Sequence, residues 1–531
     1  MIYSLLLMLF LVDEPPALDT GGRLSPNQAG YDVKGLRLDV EFFPEKKTIA
    51  GRAELELDLL TAGMTSIELD LYADLKVTEA RIDGQLRPFK RVHHKLFVGT
   101  PHKMGKRIVV RIDYQGTPKE AVHPPWDGGV NWSRTDAGEP WIGVSCQGLG
   151  GQVWYPCKAH PSDKIEGVAL RITVPEPLYC AANGLLDKIE PAGPGKRTFH
   201  WTTRYPISNY NLSVNIADYE IHQRTWKGAR ELPIIFYVLR EYQKADQLSN
   251  DPRDYAQKKK DLLDQTIRYL EFMNTRFAPY PWMEEKLGIV HTAYLGMEHQ
   301  TINSYGAHFR QNNGVDDLLL HELAHEWWGN MLSVADWGDA WLHEGFATYT
   351  EVLYREHLSG VEAAAAMRLR TRAMIRNRMP MVRFGSLSSK VFGADIYKKG
   401  ALVLHTLRYL MEDAPFNALL TRFASLEGYV TTDDFASLAE SLAKKDLDWF
   451  FQRYCHKADL PELKVHQEQG FVSLDWGDPD FNMPMEVALI ETSGTRYQRL
   501  LFSNGKTRLE LPAGVDWKLD PRHQVLKRVA H

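Results

Sequence analysis

The stretch His321-Glu322-Leu323-Ala324-His325, followed nineteen residues later by Glu344 in Trp341-Leu342-His343-Glu344-Gly345-Phe346, decides how this chain is read. Residues four apart on an α-helix share a face, so His321 and His325 present two imidazoles to one point. At roughly 100° per residue, Glu322 lies about 60° around the helix from His325, beside that point rather than on it. Two histidines and a carboxylate leave one position of a tetrahedral zinc open for water, the composition of a catalytic site. We therefore read His321, His325 and Glu344 as ligands of one zinc ion per chain, and Glu322 as the base that takes a proton from water. A His-Glu-x-x-His match arises by accident in a chain this long at on the order of a few per cent; adding Glu344 lowers that more than roughly tenfold.

The surrounding pattern predicts two crossing helices. Asp316-Asp317 supplies acids for a helix start, Leu319, Leu323 and Trp327 recur every four residues as a buried stripe, and Trp328-Gly329-Asn330 offers a left-handed stop. A second helical pattern from about Leu342 to Leu358 carries Glu344 near its start. Two helices meeting at a metal account for a third ligand that is distant in sequence.

Upstream, Leu295-Gly296-Met297-Glu298-His299 follows the strand-like Leu287–Thr292. Here the sequence resembles the zinc aminopeptidases that include aminopeptidase N and the leukotriene epoxide hydrolase, a branch of the gluzincin metallopeptidases. These carry Gly-x-Met-Glu-Asn on a strand lining the substrate cleft, and its Glu binds the free α-amino group. Glu298 matches that residue, and Gly296 and Met297 match the cleft-lining positions; His299 stands in place of Asn and Leu295 in place of the first Gly. The segment Tyr397-Lys398-Lys399-Gly400 resembles the family's Tyr-x-Lys-Gly, whose phenol donates to the tetrahedral intermediate. Ser145-Cys146-Gln147 ahead of Tyr155-Pro156-Cys157 resembles the family's Gln and Pro-Cys turn, which makes Gln147 the amine-contacting glutamine, with Gln152 as its rival. The similarity runs from about Leu36 to Leu463. It implies a thermolysin-like catalytic domain, peptide substrates with a free N-terminus, and hydrolysis of the first peptide bond. An endopeptidase, an epoxide hydrolase on the same site, and a catalytically silent binding scaffold are the alternatives.

The chain has 531 residues, 25% of them charged, with a net charge of −5. That length exceeds one ordinary core, and the mild acidity gives no footing for nucleic acid. The reading is a multidomain α+β protein without a stable membrane span. Residues 1–22 form a leader, 23–220 an N-terminal antiparallel β domain, 221–460 the mainly helical zinc domain, and 461–531 a small C-terminal β-sandwich, with no further C-terminal helical domain and hence an open cleft. Alternating stretches such as Arg107–Tyr114 support the β domain, and Asn504-Gly505 marks a C-terminal hairpin turn. Ile2–Val12 is apolar and of signal-core length, so export to a periplasm or the exterior is expected, although no Lys or Arg precedes it; otherwise the chain is cytoplasmic. Cys146, Cys157, Cys180 and Cys455 lack metal-ligand spacing, and whether Cys146 pairs with Cys157 is open, as is oligomeric state.

Overall fold

Strict alternation of apolar and polar side chains builds the first half of the molecule. Gly167–Pro175 buries every second residue, and so does most of Arg107–Gly116, as a strand with one face on a core must. The computed structural model describes residues 18–242 and 253–530. The apolar run Ile2–Val12 lies outside the described residues.

An eight-stranded sheet and a four-stranded sheet dominate the N-terminal region. In the larger sheet, Tyr31–Phe43 pairs antiparallel with Thr48–Leu59 and parallel with Gly167–Pro175. The sheet is thus mostly antiparallel, as the alternation predicts, with one parallel pair whose direction alternation does not encode, since alternation reports burial and not the direction of the neighbour. In the four-stranded sheet, Pro140–Ser145 lies between Gly129–Arg134 and Val214–Ala217, and its end delivers Gln147 to the cleft.

Tyr219–Lys227 and Glu231–Leu239 begin a five-stranded sheet that continues through Leu287–His291 and Asn303–Tyr305 to the edge strand Gly296–Met297. Against it pack the helices Tyr255–Arg276 and Asp317–Ala324; Trp341–Ala373, broken at Gly360, packs on the second of these and on Ala394–Met411. The C-terminal strands form one sheet of four and one of three. Among the described residues, no helix is long and apolar enough to cross a membrane.

Two local expectations change. The helix carrying His321 ends at Ala324, not at Trp328, and its tail closes through tighter turn bonds, His325 N to Glu322 O and Trp327 N to Ala324 O. Residues 18–22, assigned above to a leader, are built into the fold: Gly22 N donates to Ser386 O and Ser388 N to Thr20 O. The four cysteines are buried free thiols.

Candidate active site

Three helices and one strand edge converge on the site. Asp316 caps the first helix by accepting from Leu319 N at 3.1 Å, and Tyr305 Oη donates to its other carboxylate oxygen. Leu319, Leu320 and Leu323 bury the inner face, leaving His321 and His325 directed at Glu344 on the second helix. That helix is fixed at its start by Trp341 Nε1 donating to Thr432 Oγ1 at 2.8 Å. One residue beyond Glu344, Gly345 meets Gly400 of the third helix so closely that a Cβ on Gly400 would sit 3.0 Å from Gly345 Cα. This glycine-to-glycine crossing brings Tyr397, one turn before Gly400, over the first helix. Its ring lies nearly parallel to that of His321, with centroids 6.2 Å apart.

The donor atoms form a triangle. His321 Nε2 is 3.2 Å from His325 Nε2 and 3.5 Å from Glu344 Oε2, and His325 Nε2 is 3.4 Å from Glu344 Oε2. Ligands about 2.0–2.1 Å from a tetrahedral zinc stand about 3.3–3.4 Å apart, so the three donors fit zinc without rearrangement. Each imidazole is oriented from behind: His321 Nδ1 lies 2.8 Å from Glu351 Oε1, and His325 Nδ1 lies 2.7 Å from the Trp328 carbonyl. Both contacts leave Nε2 free for the metal. Burial pushes the Glu344 carboxyl up, but His325 and His321 override it and hold the group well below the ordinary carboxylate range, the anionic state a ligand needs.

Glu322 lies in the same cleft and is 6% exposed. Burial outweighs the pull of His321 and His325 and leaves its carboxyl raised to about 8, a direction that favours accepting a proton. The edge strand lies directly against it: a Cβ on Gly296 would be 2.5 Å from Glu322 Oε1. Only glycine lets that strand approach the base. For Tyr397, burial first, then Glu344 and Glu298, raise the phenol well above its ordinary value, so it stays a hydrogen-bond donor.

Glu298 is buried beside the triad. Gln147 Nε2 donates to Glu298 Oε1 at 2.5 Å and to Glu344 Oε1 at 3.2 Å, and Tyr210 Oη donates to Glu298 Oε1 at 3.3 Å. Gln152 instead donates to the Leu149 and Asp19 carbonyls, so of the two glutamines it is Gln147 that reaches Glu298. His299 turns inward, with Nδ1 3.1 Å from Ser304 Oγ, so the departure from Asn is absorbed within the sheet. Leu295 is 47% exposed on the cleft rim and Met297 lines the wall.

One hydrogen-bonded unit ties this strand to the metal helix. Glu326, next to His325 and fully buried, accepts from Thr301 N, Asn303 Nδ2, Trp282 Nε1 and Asn330 Nδ2. Asn330 Nδ2 and Asn211 Nδ2 both donate to the Glu298 carbonyl.

Sequence reasoning missed Glu351, Tyr210, Glu326 and Asn330. A signal existed for Glu351, seven residues after Glu344 and so on the same helix face. None existed for Tyr210, which arrives from the other domain. The site opens into a cleft of about 820 Å³ whose rim includes Trp126, 75% exposed, and Leu149.

A thermolysin-type arrangement of two helices, an HExxH pair, a downstream glutamate and a strand edge defines a zinc metallopeptidase architecture. Residues 262–454 match the peptidase family M1 domain. Endoplasmic reticulum aminopeptidase 1 of Homo sapiens is 25% identical over 405 residues, 70% of this chain and 40% of its own length. Aminopeptidase B of Mus musculus is 24% identical over 485 residues, 82% and 67% respectively, and leukotriene A-4 hydrolase of Xenopus laevis is 22% identical over 368 residues, 65% and 54%. The chain thus spans 40% to 67% of the length of these relatives. The crystal structure of an M1 zinc metallopeptidase from Deinococcus radiodurans superposes with a TM-score of 0.69 at 25% identity, covering 84% of this chain and 96% of that one. A mutant of that enzyme bound to a Tyr-Ser-Ala substrate gives 0.68 at 25% identity, covering 81% and 95%.

Proposed function

We propose that the protein is a zinc aminopeptidase that removes the N-terminal residue from peptides. One observation carries the reading: the Glu298 carboxylate, steadied by Gln147 and Tyr210, stands next to a His-His-Glu triangle of zinc dimensions. A buried anion there that does not belong to the triangle suits a substrate α-ammonium, and holding that ammonium selects the first peptide bond.

Zinc held by His321, His325 and Glu344 would supply Lewis acidity, polarising the scissile carbonyl and acidifying water. Glu322 takes a proton from the attacking water as its oxygen bonds to the carbonyl carbon. The Tyr397 phenol donates to the carbonyl oxygen as it becomes anionic. As the C–N bond breaks, Glu322 returns its proton to the leaving amine, so water is consumed and one carboxylate and one amine form. Gln147 and Tyr210 orient Glu298, and Gly296 leaves room for Glu322.

The test is hydrolysis of aminoacyl anilides by zinc-loaded protein, each with a free and an N-acetylated amine. Cleavage confined to the free amines is expected, and Glu322→Gln should keep zinc and lose turnover. Equal cleavage of both forms would point to an endopeptidase and remove Glu298 from its role. Zinc binding without turnover on any substrate would favour a binding scaffold. Export is proposed on the apolar Ile2–Val12 run, and recovery of the expressed protein only from the cytoplasmic fraction would sink it.

A further inference from the structure

The first described residues cross the cleft wall and bind both of its sides. Thr20 Oγ1 donates at 2.8 Å to the carbonyl of Gly148, the neighbour of Gln147, and accepts at 2.9 Å from Trp337 Nε1. The Asp19 carboxylate accepts from Ser389 Oγ at 2.5 Å and from Ser389 N at 3.3 Å. Ser388 Oγ lies within reach of both Asp19 and the Gly148 carbonyl and donates to one of them. Gly21 forms a bridge with Leu387. It needs to be glycine: its φ is +86°, and a Cβ would stand 2.5 Å from Trp337 Cδ1 and 2.8 Å from Ser386 O. Leu18 and Asp19 face the cleft itself.

The two walls joined in this way carry different parts of the site. Gly148 follows the glutamine that steadies Glu298. Ser386–Ser389 leads within a few residues to the helix beginning at Ala394, whose first turn holds Tyr397. We propose that residues 18–22 are a tether that fixes the distance between Gln147 and Tyr397, with Asp19 and Thr20 as positioning residues for the hydrolysis proposed above. The tether is an element separate from the metal triangle, so its loss leaves zinc in place. A leader cleaved after residue 22 would remove it; any processing compatible with this role falls before Leu18.

Asp19→Ala, Asp19→Asn and Thr20→Val in the full chain test this. On a free-amine anilide, Asp19→Ala should lower kcat about 10-fold and raise KM several-fold, because the groups that hold the substrate ammonium and its carbonyl oxygen lose their spacing. Asp19→Asn, which keeps an acceptor for Ser389, should recover most of that loss, and zinc content should not change. Amide exchange at 147–149 and 386–389 should quicken in Asp19→Ala and in Thr20→Val. Wild-type kcat and KM in Asp19→Ala would overturn the tether, as would unchanged exchange at both segments. If the wild-type protein hydrolyses no anilide, the aminopeptidase reading fails, while the exchange measurement still decides for or against the tether. A mature protein found to start at or beyond Arg23 and to be active would overturn it too.

Discussion

Replacing Gly400 with Ala tests whether the helix crossing sets the catalytic geometry. The added Cβ would lie 3.0 Å from Gly345 Cα and 3.5 Å from the Trp341 ring. Carbon atoms rest about 3.5–4.0 Å apart, so the helices must separate by about 0.5–1 Å at this point. Tyr397 is three residues away on the same rigid helix, and its phenol inherits most of that displacement. A donor acts on an oxyanion within a window of about 2.7–3.1 Å, and a single such donor is worth about 100- to 1,000-fold in kcat. A shift wider than the window should therefore cost about 30- to 100-fold in kcat, with KM little changed because Glu298 and Gln147 sit on other elements. The overpacking itself should cost about 1–3 kcal/mol of stability. The assay is steady-state kinetics on a free-amine anilide with zinc content measured in parallel, for Gly400→Ala, Tyr397→Phe and the double variant. If the crossing acts through Tyr397, the double variant is scarcely slower than Tyr397→Phe alone. Fully additive losses, or an unchanged kcat in Gly400→Ala, would refute the reasoning.

Glu351→Gln should weaken zinc binding by about 10-fold, since His321 loses the anion that orients it; competition against a chelator measures this, and an unaltered affinity would remove Glu351 from the site. Gly296→Ala should retain zinc yet lower kcat by about 100-fold, because its Cβ displaces Glu322 from the strand edge; near-normal turnover would show that the strand yields at no cost. Burial raises the Asp316 carboxyl to about 6, above the unfolded value of about 3.9. The native state therefore holds this proton more tightly than the unfolded state, and the resulting stability, about 3 kcal/mol, is complete below about pH 4 and lost as pH rises through about 6. Urea unfolding of Asp316→Asn should lack that portion of the pH dependence, and identical profiles for variant and wild type would contradict the assignment.

The metal site was legible because helix periodicity converts a spacing of four into a shared face, and because the donors needed for zinc are few. Glu298 and Tyr397 stand out in the sequence only through resemblance, and what the structure adds is their place beside the donor triangle: a carboxylate on a strand and a tyrosine at a helix start carry no local mark. That Gln147 rather than Gln152 reaches Glu298 is visible only in the folded chain, since both follow the same strand and differ in which way the turn directs them. The parallel pairing of Tyr31–Phe43 with Gly167–Pro175 joins segments more than a hundred residues apart, and no alternation pattern encodes that choice. The early end of the His321 helix also escaped notice, because Leu323 and Trp327 are buried whether the tail is helical or a series of tight turns.

Glu326 and Asn330 bond the Glu298 strand to the metal helix within a single buried unit. For selection in nature or in the laboratory, this separates two traits. Under the proposed function, the group that would demand a free N-terminus is tied to the metal helix, so a library that randomises the Glu298 neighbourhood should return mostly metal-poor protein. Taste for one side chain over another has a freer home on the rim, at Trp126, Leu149 and Leu295, where substitutions touch neither partner of that unit. New specificities should therefore accumulate from the outside inward, while the chemistry stays fixed.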